Sequence, residues 1–287
     1  MLGKLFKNEF GATWKLMVIA FAVIIGLTEI TSLFDRVGFY ETALYSNPFV
    51  NVAVKTINAM FILSIIFVCL FVLVSCCMRF YKTMYSEQGY LTHTLPVSPI
   101  ATFFVKFITS LVWMIASFFS IVIAVLIRIA VSDGTNLFSL IHTLVTHLGD
   151  EEFIVNLQNS AQAAFGCGAG MSILIVILLF IMGFIYLLSW LFTSMTLGQL
   201  STNHKVGLSI GIGFGLYLAG QIAGVITIVK AFNLLGKSVE ETVIDSAVDV
   251  SLNGKNVILL ITLFMGVVAL VELAVDTIVV KKKINLQ

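Results

Sequence analysis

The stretch RFYKTMYSEQGYLTHTLPVSP, residues 79–99, is the longest part of the chain that cannot sit in oil over its whole length. It holds Arg79, Lys82, Glu87, Gly89 and two of the three prolines, together with Phe80, Tyr81, Tyr85 and Tyr90. The residues on either side, 54–78 and 100–130, are almost wholly apolar. Both flanks exceed the ~20 residues that a helix needs to cross a bilayer core. Two membrane spans joined by a short polar connection fit this pattern, and that reading decides how the rest of the chain is divided.

Composition agrees. Of 287 residues, 59% are hydrophobic and 11% charged, whereas soluble domains carry about 25% charged residues. In lipid the backbone must satisfy its own hydrogen bonds, which leaves helices or closed barrels. Barrel strands are about ten residues long and alternate in polarity. The apolar runs here are longer and do not alternate. The expected fold is all-α, a polytopic membrane domain over residues 1–287. Its six transmembrane helices fall at roughly 14–34, 54–78, 100–130, 171–196, 206–231 and 256–280.

The first span is too long for a cleaved signal peptide, and no small-x-small site with a polar segment follows it. Ahead of it, in MLGKLFKNEF, Leu2, Leu5, Phe6 and Phe10 share a helical face with Lys4 and Lys7 beside it. Residues 1–13 are therefore expected to form an interfacial amphipathic helix. Lysine and arginine set orientation. With both termini inside, ten of the 16 basic residues fall on the inner side, among them Arg79, Lys82, Lys106 and Lys281. The expected topology is N-in, C-in. A net charge of +1 gives no reason to expect nucleic acid. Cys69, Cys76, Cys77 and Cys167 read as small buried hydrophobes, and no Asn-x-Ser/Thr sequon occurs. These features fit a bacterial inner membrane.

Two outer segments, 131–170 and 232–255, carry amphipathic periodicity and are expected to lie on the outer surface or cap the bundle. No soluble domain interrupts the chain. AFNLLGKS ends like a phosphate-binding loop, but Ala231 stands where the motif requires glycine. His142 and His147 are five apart, the wrong spacing for one helical face, so no metal site is assigned. No catalytic constellation lies at membrane depth.

Three carboxylates do lie in apolar spans: Glu29, Glu272 and Asp276. An acid at mid-helix costs about 2.5–3.5 kcal/mol on insertion scales and needs partners or water. Glu272 and Asp276, four apart, share a face of span six. They are either interhelical polar pairs or the wall of a path. Span five repeats glycine every four residues at Gly207, Gly211 and Gly215, then at Gly220 and Gly224. Such faces let helices approach closely, within a subunit or between two.

Within the opening stretch, residues 79–88 read as a short helix with Gly89 as its stop. Ser98 and Pro99 restart span three as N-cap and first turn. Exposed aromatics on such a loop describe either a docking knob for a protein or a belt in the lipid interface.

The amphipathic start LFKNEFGATWKL, the six spans and RFYKTMYSEQGYLTHTLPVSP between spans two and three resemble the permease subunits of bacterial ATP-binding-cassette exporters of the type-2 class. The resemblance covers essentially the whole chain. It implies that the 79–99 loop holds a coupling helix, with Phe80, Tyr81, Met84, Tyr85 and Glu87 contacting a cytoplasmic ATPase. It further implies two copies of that ATPase, which would bind ATP and Mg, and a second permease chain, identical or different. No cofactor is then expected on this chain itself. The implied activity is export of an amphipathic or apolar substrate: a peptide, bacteriocin, drug or lipid. The 131–170 segment is larger than the family leads one to expect. The competing readings are a proton- or ion-coupled secondary transporter using the membrane acids, and a non-transporting immunity or scaffold protein. Against the former, no proline interrupts a span.

Overall fold

In a computed structural model, residues 2–36, 48–86, 89, 97–132, 135, 137–148, 150–200, 204–239 and 248–282 are described. Among them the chain is all-α. Its helices are α1 (Leu2–Arg36), α2 (Pro48–Tyr85), α3 (Pro99–Ser132), α4 (Leu137–Leu148), α5 (Glu151–Phe165), α6 (Ala169–Gly198), α7 (Lys205–Val239) and α8 (Val248–Lys282). Six of these, α1, α2, α3, α6, α7 and α8, are long and apolar enough to cross a membrane. The chain is a multi-pass membrane protein. Large apolar side chains such as Ile19, Phe67, Ile210 and Leu270 stand exposed along these helices. Buried Thr28, Ser64 and Thr109 return their hydroxyl protons to carbonyls three or four residues back. A hydroxyl satisfied within its own helix is a small side chain that lets helices pack closely in lipid.

The helices outrun the oil. α2 has 38 residues, about 57 Å at 1.5 Å per residue, against a bilayer core of about 30 Å. Residues 2–13 are helical as expected, but they continue into span one without a break. Residues 79–85 likewise continue α2 rather than forming a separate helix. Ser98 caps α3, its Oγ accepting from the Ala101 N–H at 3.3 Å. The 131–170 segment holds α4 and α5. Gly166 ends α5 in the left-handed region, φ 67°, where a residue without Cβ is unstrained. In the 232–255 segment α7 extends to Val239 and α8 begins at Val248; residues 240–247 lie outside the described residues. The GKS sequence falls inside α7, not in a loop.

The chain divides into two compact units, residues 1–79 with 105–149, and residues 80–104 with 150–287. The first is fastened by Glu9. Arg79 donates to Glu9 Oε2 through Nε at 3.0 Å and Nη2 at 2.9 Å, and Lys106 Nζ pairs with Oε1. One carboxylate thus ties α1 to α2 and α3. Lys106 is 4% exposed, so its charge relies on that partner. A turn further on, Trp113 donates to Thr13 Oγ1 at 2.9 Å and stacks on Phe10 at 4.5 Å. Phe10, on the apolar face of the N-terminal segment, therefore packs on the chain's own α3. Glu9–Lys106 and Thr13–Trp113 advance together, so α1 and α3 run parallel. Arg128 bonds Asn58 and sits 4.3 Å over Phe61, which sets α2 antiparallel to α3.

In the second unit α6 and α7 form an antiparallel hairpin whose register repeats every turn. A Cβ on Gly198 would stand 2.7 Å from Ser209 Cα. One turn along, a Cβ on Gly213 would meet Ser194 Cβ at 3.3 Å, and on Gly220 the Tyr186 Oη at 2.7 Å. Trp190 donates to the Gly213 carbonyl at 2.9 Å between them. The close-packed glycines of α7 are Gly213, Gly220 and Gly224. Gly207, Gly211 and Gly215 make no close approach within the chain, with nothing within 4 Å of a Cβ. α6 and α8 run parallel, since Ser189–Glu272 and Thr193–Asp276 are each 83 residues apart.

Two outcomes follow for the purified protein. Glu9→Gln leaves Lys106 buried without its counter-charge and lowers unfolding stability by about 3–5 kcal/mol; adding Lys106→Met restores most of it. Thermal unfolding in detergent measures both, and a Glu9→Gln variant as stable as wild type would remove the fastening role. Gly198→Ala forces α6 from α7 at a cost of about 1–3 kcal/mol. Gly211→Ala, in open space, is neutral or stabilising by up to about 1 kcal/mol, and equal effects from the two would contradict the hairpin register.

Candidate functional site

The second unit carries a column of polar groups through its apolar helices. Ser189, Thr193 and Thr196 recur at four and three along α6 and so share a face. Glu272 and Asp276, one turn apart on α8, face them. Ser189 Oγ lies 2.6 Å from Glu272 Oε2, and Thr193 donates to Asp276 Oδ2 at 3.0 Å. Glu272 and Asp276 thus lie on one face of α8, towards α6. Both are buried, at 7% and 0% exposure. Glu29 belongs to the other unit and lies exposed on α1.

The column continues into the opening stretch. Tyr85 Oη donates to Thr196 Oγ1 at 3.0 Å, and Thr196 lies beside Asp276. Around this bond the aromatics close a cluster. Phe80 stacks on Phe192 with ring centroids 3.9 Å apart, and meets Phe103 and Tyr85 edge-on at 5.8 and 5.7 Å. Phe80 and Met84 are 2% and 0% exposed.

Their burial corrects the expected docking surface. Because α2 does not stop at residue 78, Phe80 and Met84 fall four apart on the face that turns onto α6. They are internal packing residues and offer no surface to a partner. Tyr85 is half-buried and engaged through its hydroxyl. Tyr81 is half-buried and Lys82 exposed. Glu87 lies outside the described residues. Sequence reasoning found the acids but not their hydroxyl partners. The signal was present, since serine and threonine recur at helical spacing on α6, but nothing in one sequence pairs span four with span six. It likewise passed over Glu9, whose cationic partners lie 70 and 97 residues away.

At the other end of the column a cavity of about 160 Å³ lies between α6, α7 and α8, beside Tyr186, Gln221 and Thr227. The site can therefore do two things chemically. It holds two buried carboxylates among hydroxyls, and it joins them to the end of α2. Comparison with known protein families, characterised proteins and solved structures finds no match.

Removing the Phe80 ring by Phe80→Ala lowers stability by about 3–5 kcal/mol, whereas Tyr85→Phe keeps the packing and loses about 1 kcal/mol. Tyr81→Ala changes stability by less than about 0.5 kcal/mol, as surface positions do. Unfolding midpoints of the three variants read this order, and a tolerated Phe80→Ala would mean that the aromatic cluster does not form.

Proposed function

We propose that the chain is the membrane subunit of an ATP-driven exporter in a bacterial cell membrane, with both termini on the cytoplasmic side. Two such chains work with two separate ATPase subunits, which bind the ATP and Mg. The cargo is amphipathic or apolar, because the spans hold few charges that could line a path for a small ion.

One observation supports the reading most directly: the end of α2 is anchored where a lever would need to be. The 86–98 connection departs immediately after Tyr85. A displacement of this connection enters α6 through the Phe80–Phe192 stack and the Tyr85–Thr196 bond. It reaches α8 through Thr193 and Asp276. A plain linker between spans would need no such attachment. The roles within the stretch then divide. Phe80, Met84 and Tyr85 transmit force inside the membrane domain, while Tyr81 and Lys82, with the loop that follows them, meet the ATPase. The lysine and arginine bias towards the same side supports placing that loop in the cytoplasm.

The test is purification in mild detergent. The wild-type chain brings down a protein that hydrolyses ATP. Tyr81→Ala with Lys82→Ala inserts normally and loses roughly 30-fold in affinity for it, the scale of a lost interface anchor. A wild-type preparation without ATP hydrolysis, or a double variant that retains the partner in full, removes the proposal.

A further inference from the structure

The hydrogen bonds around Asp276 leave one oxygen of a fully buried carboxyl without a partner, and that oxygen assigns a ligand. A hydroxyl gives one hydrogen bond and accepts two. Thr196 gives its proton to the Phe192 carbonyl at 2.8 Å, and one of its lone pairs takes the Tyr85 proton at 3.0 Å. What remains towards Asp276 is an acceptor. Thr193 gives its proton to Asp276 Oδ2. Asp276 Oδ1 is buried without a hydrogen-bond partner. A carboxylate only accepts, so an ionised Asp276 would be buried with one donor, Thr193, and none at Oδ1. Among the described residues no lysine, arginine or histidine pairs with Asp276 or Glu272; the ion pairs found there are those of Glu9. The titratable neighbours are Glu272 on α8 itself and Tyr85 from α2, neither of which supplies positive charge. α6 carries no charged residue and presents Ser189, Thr193 and Thr196 to the two acids, with Tyr186 near Glu272. Burying an unpaired charge this way costs several kcal/mol.

We propose that Asp276 is a proton-binding site within the membrane domain: one proton resides on Oδ1, bounded by Thr193, Thr196 and Glu272. Loading is a transfer from hydronium, which leaves as water, and it converts the carboxylate to the neutral acid. Protonation removes the uncompensated charge and leaves Thr193 donating to the carbonyl oxygen of the acid. Release returns the charge to a buried group with that single donor. The site is independent of the ATPase reading and stands or falls separately from it.

Infrared difference spectroscopy of the full chain in lipid nanodiscs, titrated from mildly acidic to mildly basic pH, tests this directly. Wild type shows the C=O band of a protonated buried carboxyl that disappears on titration. Asp276→Asn, isosteric and uncharged, lacks the band, while Glu272→Gln keeps it. Thr193→Val moves it to higher frequency, because the acid carbonyl loses its one hydrogen bond. The frequency shift also serves if Asp276→Asn does not fold. A band that survives in Asp276→Asn, a band unmoved by Thr193→Val, or no band in wild type at any pH overturns the proposal. So does a band displaced by sodium at fixed pH, which would make the site one for a metal cation.

Discussion

No polar group inside this chain can rely on water, and that constraint orders everything else. Backbone groups meet it by forming helices. Serine and threonine meet it by returning their protons to their own helix. Charged groups cannot meet it locally, so they reach across. Glu9 draws Arg79 and Lys106 together, and the acids of α8 draw Ser189 and Thr193. Apolar side chains gain little by facing one another when lipid is as apolar as they are. The few polar contacts and the small residues between helices therefore fix which helices meet and in what register.

The number of spans was legible because composition alone forces it: runs of apolar residues longer than a bilayer core have no other use. Their ends were less legible. Hydropathy locates the edge of the oil, while a helix ends where its backbone pattern ends, and α2 passes residue 78 by seven residues to reach Tyr85. That difference changed the meaning of the opening stretch. Aromatics expected on a polar loop became the inward face of a continuing helix, with Phe80 on Phe192. Tyr81, one residue on, keeps part of its surface free.

Pairings between distant spans were not legible at all. Glu272 and Asp276 declared themselves by being acids in oil, but their partners are ordinary hydroxyls. Glu9 looked like one charge in an amphipathic start. The glycines show the same limit. A repeat of four in a helix of 3.6 residues per turn drifts about 40° at each step. A stripe therefore names a face only locally. Gly207 to Gly215 ended on the open side of α7, and Gly213, outside the stripe, took the close contact with Ser194.

The parallel register of α6 and α8 has a mechanical meaning. Acids one turn apart on α8 meet hydroxyls one turn apart on α6, so the two helices mesh like the teeth of a rack. A slide of one turn, about 5.4 Å, would bring Asp276 opposite Ser189 while Glu272 passed to Ile185. A shorter slide would leave Asp276 between hydroxyls. Packed elements of this kind move between stops and do not creep. The hydroxyl spacing of α6 thus sets the smallest shift of register that again gives Asp276 a donor.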